Sequence, residues 1–378
     1  MSQTKVPIVD LGRQFRAFES EFIEIFLRVG RSGVYVHGPE LRAFEEAFAA
    51  YCGVPFAIGV GNATDGLAIV LKAMNVGPGD EVITAANSFI ASGGAIAEVG
   101  ATPIFADVRD DLNIDPESVL RLITPKTKAI IPVHLTGRPA DMDALLKIAD
   151  TYDLWVIEDA AQAVGAKYRG KKTGALGDAA VFSLHPLKNL HVYGDGGVIT
   201  TKSPELSAAC EQIRNHGLID RDTCLRWGRN SRLDELQAAI AAFKLAHIDE
   251  LNERFRSIAS RYTDALKSYV GMPQACVNCA GNCSGDNLCV FHNFVILPDD
   301  REGLMNHLTK CGVDTKIRYP RLLNEQPAYQ NLDGLSFETP TAMRLNAHIL
   351  SLPIFPEMTD EEVSTAIRAV QEFYDFKK

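Results

Sequence analysis

The residue best suited to chemistry in this chain of 378 residues is Lys188. It lies in the stretch Ala179–Leu190, between the break made by Pro186 and the glycine cluster Gly194–Gly197. The stretch opens with an apolar run typical of a buried strand. Because most lysines are solvated, Lys188 alone has two interpretations, an ordinary loop lysine or an amine nucleophile.

Other loops that follow short apolar runs also carry groups able to do chemistry. Asn62, Ala63 and Thr64 open a helix directly after one run, where the free amides of a first helical turn bind phosphate. The same residue types are also ordinary helix caps. Asp159 ends a second run, where a buried carboxylate needs a cation, a metal or a protonated partner. Phe89 places an aromatic ring after a third run.

A phosphate cradle, a carboxylate, an aromatic ring and a lysine together match the needs of pyridoxal 5'-phosphate. The lysine amine bonds covalently to the cofactor aldehyde, and the carboxylate keeps the pyridine nitrogen protonated so that the ring withdraws electrons. A released, neutral amine then carries a proton between the substrate and the cofactor. This combination favours a catalytic Lys188 with Asp159 as its essential partner.

The elements that position these groups alternate along the chain. Helical stretches near 64–75, 89–99, 115–123 and 140–152 separate the apolar runs, which predicts an α/β fold with a mostly parallel sheet. Ligands gather at the carboxyl ends of such strands. We expect Trp155 in the core at the head of its strand. The seven predicted strands are Phe56–Val60, Glu81–Ile83, Pro103–Val108, Lys128–Val133, Leu154–Ile157, Ala179–Leu184 and Gly197–Thr201.

Segments outside the sheet predict helices at both ends and a second, smaller unit. Amphipathic patterns at 13–30 and 39–51 indicate two N-terminal helices, and 233–270 reads as one long helical segment. A strand at 290–296, a helix at 301–311, a strand at 315–317 and a helix at 360–376 predict a small α+β domain. We therefore divide the chain into a large domain, 1–245, and a small C-terminal domain, 246–378.

Composition excludes several classes of protein. The formal net charge of -10 and the lack of a long basic run argue against nucleic-acid binding. No stretch reaches the length of a membrane span, and the first residues do not follow the signal-peptide pattern, so we expect a cytoplasmic protein with reduced thiols.

Four clustered cysteines, Cys276, Cys279, Cys283 and Cys289, leave a structural zinc open. Their later spacings do not form the usual two-pair arrangement, and pyridoxal phosphate chemistry needs no metal. We predict no metal at the catalytic site.

Six ordered motifs resemble the DegT/DnrJ/EryC1/StrS family of sugar aminotransferases, and the resemblance covers nearly the whole chain. They are Gly61–Leu67, Val82–Ala91, Pro132–Leu135, Glu158–Ala163, Phe182–Asn189 with Gly194–Gly197, and Gly228–Ala239. The resemblance implies the aspartate aminotransferase fold, fold type I, and a homodimer with shared active sites.

The resemblance also implies roles for single residues. Lys188 corresponds to the cofactor-bound lysine, Asp159 to the partner of the pyridine nitrogen and Gln162 to a contact near the ring hydroxyl. Ala63, Thr64 and Ser183 correspond to phosphate binders, with Asn62 beside them, and Phe89 to the stacking ring. Asn230 corresponds to a residue that reaches the phosphate in the other subunit.

The identity of residue 188 separates two branches of this family. One branch has histidine there and dehydrates nucleotide sugars; Lys188 implies amino transfer, and the neighbouring His185 does not replace it. The implied reaction moves an amino group from L-glutamate to a keto sugar, commonly a nucleotide-linked 3- or 4-keto-deoxysugar. Alternatives are a regulatory or sensory protein that binds pyridoxal phosphate, and an aminotransferase for a non-nucleotide keto sugar or a cyclitol.

The substrate end of the site departs from the family pattern. Many relatives have His-Tyr-Pro where this chain has Arg318, Tyr319 and Pro320, and a further histidine where it has Asn324. Arg318 suits a negatively charged acceptor, or else it pairs with a surface carboxylate. We expect substrate contacts from Arg318 and Tyr319, and from the two histidines His134 and His185.

Overall fold

The computed structural model describes residues 5–273, 286–330 and 337–376. Within them, seven strands form one sheet in the order β1-β9-β8-β5-β4-β2-β3, and two further sheets have two strands each. The strands are β1 (Phe56–Val60), β2 (Glu81–Ala85), β3 (Thr102–Ala106), β4 (Thr127–Ile131), β5 (Trp155–Asp159), β6 (Lys167–Tyr168), β7 (Lys171–Lys172), β8 (Ala179–Ser183), β9 (Gly197–Thr201), β10 (Phe294–Ile296) and β11 (Leu350–Leu352).

Helices cover the large sheet and build the two ends of the chain. They are α1 (Leu11–Ala17), α2 (Glu19–Ser32), α3 (Pro39–Cys52), α4 (Ala63–Ala73), α5 (Ile90–Glu98), α6 (Pro116–Leu122), α7 (Met142–Tyr152), α8 (Pro204–Arg214), α9 (Glu235–Leu245), α10 (Ile248–Leu266), α11 (Arg301–Lys310), α12 (Pro327–Gln330), α13 (Pro340–His348) and α14 (Asp360–Asp375). In the described part of the chain, none of them combines the length and apolarity that a bilayer crossing requires.

The α/β architecture with a mostly parallel seven-stranded sheet is confirmed. β3, β2, β4, β5 and β8 pair in parallel, whereas β9 runs antiparallel to both β8 and β1. Strand residues alternate between the two faces, as a pleated strand requires. Val181 packs in the layer that contains α4 and α8, while its neighbour Phe182 packs under α3 and α9. Burial on both faces explains why these strands read as continuous apolar runs.

Several helix predictions needed correction at their ends or breaks. The single helix predicted over 13–30 is two helices, because the backbone leaves the helical conformation at Phe18 (φ −129°, ψ 26°). The Phe18 ring packs edge-on against Phe243 at 5.3 Å between ring centres. The long segment 233–270 also divides, between α9 and α10. Trp155 was expected in the core but is 44% exposed, because it stands at the amino end of β5.

The C-terminal region has a smaller antiparallel sheet. The predicted strand at 290–296 is shorter, Phe294–Ile296, and pairs with β11. The predicted strand at 315–317 is wrong, since this segment makes only an isolated bridge from Lys316 to Ser351. The β6–β7 hairpin, α8, α13 and β11 were not predicted. The domain boundary between 245 and 246 remains a prediction.

A buried carboxylate ties the N-terminal helices to α9. Glu235 is 1% exposed, and its side chain accepts hydrogen bonds from the backbone amides of Gly38 (2.7 Å), Glu40 (2.9 Å) and Leu41 (3.2 Å). These amides belong to the start of α3, whose first-turn donors have no acceptors within the helix. Glu235 therefore caps α3 from a position almost two hundred residues later in the chain.

We expect Glu235→Ala to lower the free energy of unfolding by about 3 kcal/mol, because three backbone amides, two of them buried, lose their acceptor. Urea unfolding followed by circular dichroism measures the change. Glu46→Ala is the matched control, since Glu46 is exposed on the same helix that Glu235 caps. Equal midpoints for the two variants would contradict this role for Glu235.

Candidate active site

A cleft of about 710 Å³ opens at the carboxyl ends of β5 and β8. These two strands are parallel neighbours, with Asp159 opposite Val181, so the residues that follow them meet at one edge of the sheet. Most of the residues predicted for the site line this cleft: Asn62, Ala63, Thr64, Phe89, Asp159, Gln162, Ser183, His185, Lys188, Arg318 and Tyr319. His134 and Asn230 are not in its lining.

Asp159 is held by two hydrogen bonds at the floor of the cleft. Its side chain is 6% exposed, and its Oδ2 accepts a hydrogen bond from the Ser92 hydroxyl at 2.7 Å. The Oδ1 atom accepts the amide of Ala161 at 3.2 Å. The Ser92 hydroxyl uses its only proton for Asp159. In the 2.7 Å hydrogen bond between the two serine hydroxyls, Ser88 is therefore the donor and Ser92 the acceptor. The two serines fix the carboxylate in one orientation.

The Lys188 side chain is partly buried beside this carboxylate. Burial lowers the pKa of Lys188 to about 8; Asp159 opposes the shift and Arg318 adds to it. The Lys188 amide donates to the His185 carbonyl at 2.8 Å, and the Lys188 carbonyl accepts from Nδ1 of His191 at 2.9 Å. These two bonds hold the backbone of the loop, so the amine projects from a fixed position. A substantial fraction of this amine is neutral near pH 8.

The start of α4 forms an anion cradle on one side of the cleft. Asn62 caps the helix, accepting the Asp65 amide at 2.8 Å and contacting the Asp65 carboxylate at 3.2 Å through Nδ2. The Asn62 side chain is therefore engaged with Asp65. The amides of Ala63 and Thr64 have no acceptor among the described residues. They form part of the positive end of the helix dipole, which attracts anions.

Gly197 lets β9 pass close to this helix start. A Cβ atom at position 197 would lie 2.7 Å from the Asn62 carbonyl carbon and 2.9 Å from the Ala63 nitrogen. Any larger residue would push the α4 amides away from the cleft. In the glycine cluster noted in the sequence, Gly197 therefore allows the backbone of β9 to lie against the start of α4.

Gln162, Tyr319 and Phe89 form a linked part of the cleft wall. The Gln162 Oε1 atom accepts the Thr136 amide at 2.8 Å, and its Nε2 donates to the Tyr319 hydroxyl at 3.1 Å. The Tyr319 and Phe89 ring centres lie 5.4 Å apart. Phe89 is 51% exposed. Burial raises the pKa of Tyr319 to about 12, so its hydroxyl stays protonated.

His134 is a correction to the predicted set of substrate contacts. Its ring is fully buried, its Nδ1 accepts the Ala140 amide at 3.1 Å, and its Nε2 lies 2.9 Å from the Glu158 carboxylate. Because Nδ1 accepts, the proton is on Nε2 and is donated to Glu158. Both ring nitrogens are engaged inside the protein. His134 supports the fold beneath the cleft.

Glu158 completes that interior network. It accepts backbone amides from Gly174 (3.0 Å), Leu176 (2.8 Å) and Gly177 (3.0 Å) in addition to His134. This fully bonded carboxylate holds the turn that leads into β8. A buried carboxylate with all its acceptor positions filled is a stable structural element.

Two other predicted substrate residues, His185 and Arg318, also line the cleft. His185 is exposed, and its Nδ1 accepts the Leu187 amide at 3.2 Å. Arg318 lines the cleft and forms no ion pair with a carboxylate in the ranges that the structure covers. The alternative prediction, that Arg318 pairs with a surface carboxylate, is therefore wrong for the described part of the chain. Burial lowers the pKa of Arg318, which shows that its guanidinium is partly desolvated.

Three residues at or next to the cleft were not in the predicted set. Ser92 on α5 does not line the cleft but supports Asp159 and contacts Ser88, which lies four residues earlier, just before the helix. Lys316 and His292 come from the C-terminal region and carry no motif. His292 is buried, with Nδ1 3.3 Å from the Asn189 amide oxygen. Burial, and then the charges of Lys188 and Arg318, lower its pKa far below the usual range, so the ring is neutral.

Asn230 is exposed and lies outside the cleft of its own chain, joined to Asn215 by an isolated bridge. Of the four clustered cysteines, Cys276, Cys279 and Cys283 lie outside the described residues. Cys289 is described and buried.

Pyridoxal phosphate fits the donors and the space of this cleft. The amides of Ala63 and Thr64, which have no acceptor in the described part of the chain, suit a phosphate, and Asp159 and Lys188 supply the carboxylate and the amine that a protonated ring nitrogen and an aldehyde need. The cavity volume falls in the range of small-molecule sites.

Known proteins resemble this chain along almost its full length. A "Pleiotropic regulatory protein" of Geobacillus stearothermophilus is 42% identical, covering 98% of each chain. A "dTDP-3-amino-3,4,6-trideoxy-alpha-D-glucose transaminase" of Streptomyces venezuelae is 39% identical, covering 98% of this chain and 96% of that one.

Solved structures agree with the sequence comparisons. The crystal structure of S. venezuelae DesV in complex with a ketimine intermediate has a TM-score of 0.93 at 39% identity and 98% coverage of both chains. The fold is therefore that of the fold type I aminotransferases that depend on pyridoxal phosphate. The model of the DegT/DnrJ/EryC1/StrS aminotransferase family matches residues 17–371, and the chain belongs to this family.

Proposed function

We propose that this aminotransferase moves the amino group of L-glutamate to a keto sugar, a nucleotide-linked 3- or 4-keto-deoxysugar, in amino sugar biosynthesis. The observation that carries the proposal is a lysine amine with a pKa of about 8 at the same sheet edge as a buried carboxylate and an anion cradle. The name of the S. venezuelae relative, a dTDP-aminosugar transaminase, supports the class of acceptor. The proposal keeps the cytoplasmic location predicted from the sequence.

In this proposal, residues of three elements hold the cofactor. The amides of Ala63 and Thr64 and the hydroxyl of Ser183 would bind the phosphate, and the Asp159 carboxylate would accept a hydrogen bond from the protonated ring nitrogen and keep it protonated. When bound, pyridoxal phosphate supplies an electron-withdrawing ring that acidifies a carbon–hydrogen bond of the substrate. Ser92 keeps the Asp159 carboxylate aimed at the ring through its 2.7 Å hydrogen bond.

Lys188 has two roles, attachment of the cofactor and transfer of a proton. Both require a neutral Nζ, because an ammonium group has no free electron pair. With a pKa of about 8, roughly a tenth of the amine is neutral at pH 7, compared with fewer than about one in a thousand for an ordinary lysine. Once free, Nζ would carry a proton between the α carbon of the amino acid and the C4' atom of the cofactor.

Arg318 is proposed to bind a negatively charged part of the acceptor. A guanidinium that is partly desolvated gains most from an anion, and the structure pairs it with no carboxylate among its described residues. Tyr319 and His185 also line the cleft and are proposed as further substrate contacts.

A homodimer with shared sites completes the proposal. Large apolar side chains are exposed on α2 and on the segment before Asn230, including Phe26 (60%), Leu225 (60%) and Trp227 (84%). Exposed apolar surface of this kind marks an interface. In the dimer, Asn230 reaches the phosphate in the partner's site.

The first prediction concerns the amine itself. Trace acetylation of the cofactor-free protein should modify Lys188 with a half-maximal rate near pH 8, because burial disfavours the ammonium form. Free Nα-acetyl-lysine, with its pKa of about 10.4, serves as the internal standard. A Lys188 profile that coincides with the standard would contradict a perturbed amine.

The second prediction tests the reaction. The purified, cofactor-loaded protein should convert L-glutamate to one equivalent of 2-oxoglutarate per chain when no acceptor is present. Lys188→Ala should abolish this half-reaction, and Lys126→Ala, an exposed residue, should retain it. A wild-type protein that releases no 2-oxoglutarate would favour a regulatory role without turnover, or another amino donor.

The third prediction separates the two substrates at Arg318. Arg318→Met should lower kcat/KM for the acceptor half-reaction about 100-fold, because a charged hydrogen bond is lost, and should change the glutamate half-reaction less than about threefold. The exposed Arg321→Met is the control. An equal loss in both half-reactions would assign Arg318 to the carboxylate of the donor.

The fourth prediction tests the shared site. Lys188→Ala and Asn230→Asp should each be inactive or nearly so, the latter because a carboxylate repels the phosphate. Refolding an equal mixture should restore about a quarter of the wild-type activity, since half the dimers carry one intact site. A double variant with both changes in one chain should not complement Lys188→Ala. Absence of recovery in the first mixture would refute a site shared in this way.

A further inference from the structure

Three side chains with different metal-ligating groups meet between α11 and α14, on the C-terminal region. They are His307 on α11, Cys311 immediately after α11, and Glu372 on α14. Their ligand atoms all lie within 4.8 Å of one another. His307 and Cys311 are four residues apart, so they share one helix face, a spacing that also places paired ligands in helical zinc sites. None of the three lines the cleft around Lys188.

The distance between the sulfur of Cys311 and the ring nitrogen of His307 matches that between two ligands of one zinc ion. The Cys311 Sγ atom lies 3.5 Å from the His307 Nε2 atom. A tetrahedral zinc with ordinary bonds to sulfur and nitrogen would place these two ligands about 3.6 Å apart. Zinc would therefore bind both atoms with little movement of either side chain. A hydrogen bond from the thiol to the ring has a similar length.

The surroundings hold two of the ligands and leave the third able to adjust. The His307 ring packs against Phe373 with ring centres 5.7 Å apart, and the Cys311 amide donates to the His307 carbonyl at 3.0 Å. Both His307 and Cys311 are partly buried, whereas Glu372 is exposed on a long side chain. An exposed glutamate moves about an ångström at small cost. His307 and Cys311 are thus held in place, whereas the Glu372 carboxylate can adjust its position.

The chemistry of the set selects zinc. A thiolate with an imidazole is typical of zinc, whereas calcium and magnesium prefer oxygen ligands. Binding converts the Cys311 thiol to a thiolate and releases its proton to solvent, with no change of oxidation state. The thiolate and the Glu372 carboxylate then balance the two positive charges of the ion.

We propose that His307, Cys311 and Glu372 form a zinc site, with water as the fourth ligand, that fastens α14 to α11. The two helices already share a core that includes Leu304, Leu308, Val370 and Phe373. A metal at their exposed edge adds a cross-link between Glu372, near the end of the chain, and the helix beneath it. The site is independent of amino transfer and of the cofactor.

Isothermal titration of the full chain with zinc chloride tests this site. The parent protein carries Cys276→Ser, Cys279→Ser and Cys283→Ser, because these thiols are zinc ligands by type and would obscure the result. We expect one zinc per chain and about one proton released, measured in buffers of different ionisation enthalpy. In the same parent, zinc should also raise the thermal unfolding midpoint.

Single substitutions in this parent assign the ligands. Cys311→Ser and His307→Ala should weaken zinc binding at least about tenfold, since losing even an outer contact of a metal site costs that much. Glu372→Gln should weaken binding as well, and because Glu372 is exposed this variant keeps the fold. Cys224→Ser and Glu361→Gln are matched controls, with an exposed thiol elsewhere and an exposed carboxylate on α14.

Two outcomes would overturn the proposal. One is a parent protein that takes up no zinc in the titration, which would leave the thiol–imidazole contact as a hydrogen bond alone. The other is zinc binding that Cys311→Ser and Glu372→Gln leave unchanged, which would place the ion elsewhere on the chain. A thermal midpoint raised by zinc in the parent but not in the Cys311→Ser variant supports the site.

Discussion

Burial of one amine beside one carboxylate is the constraint on which the rest of this structure depends. Low polarity around Lys188 disfavours its ammonium form, and the Asp159 charge limits the shift, so that the pKa settles at about 8. Both side chains reach this position because β5 and β8 pair in parallel and end at the same edge of the sheet. The loop of Lys188 and the serines beside Asp159 keep the two groups in place.

Adjacent carboxylates on β5 have opposite tasks because a strand alternates its faces. Asp159 faces the cleft, whereas Glu158 points into the interior and accepts three backbone amides and His134. The interior network holds the turn that leads into β8. Glu158 thus positions β8, the strand before Lys188, while the adjacent residue Asp159 lies beside the Lys188 amine. Arg318 and Tyr319 come from the C-terminal region and line the same cleft.

Much of the fold was predictable because the strands are buried on both faces. Each of the seven strands of the large sheet was predicted within about two residues, since continuous apolar runs between helices have few other interpretations. The break at Phe18 was missed because its ring contacts Phe243, far along the chain. In the C-terminal region the strand at 290–296 was predicted too long and Leu350–Leu352 was missed, because pairing between distant segments leaves little local signal.

The sequence by itself determined the types of group at the site and their order along the chain. Lys188, Asp159 and the start of α4 were recognised because each ends or follows a strand. Only the tertiary structure decided which of them face one another, how far the Lys188 amine is desolvated, and that His134 points inward. It also brought Glu372 to His307 and Cys311 across two helices. Side-chain direction and burial depend on contacts between distant residues, and those contacts exist only after the chain has folded.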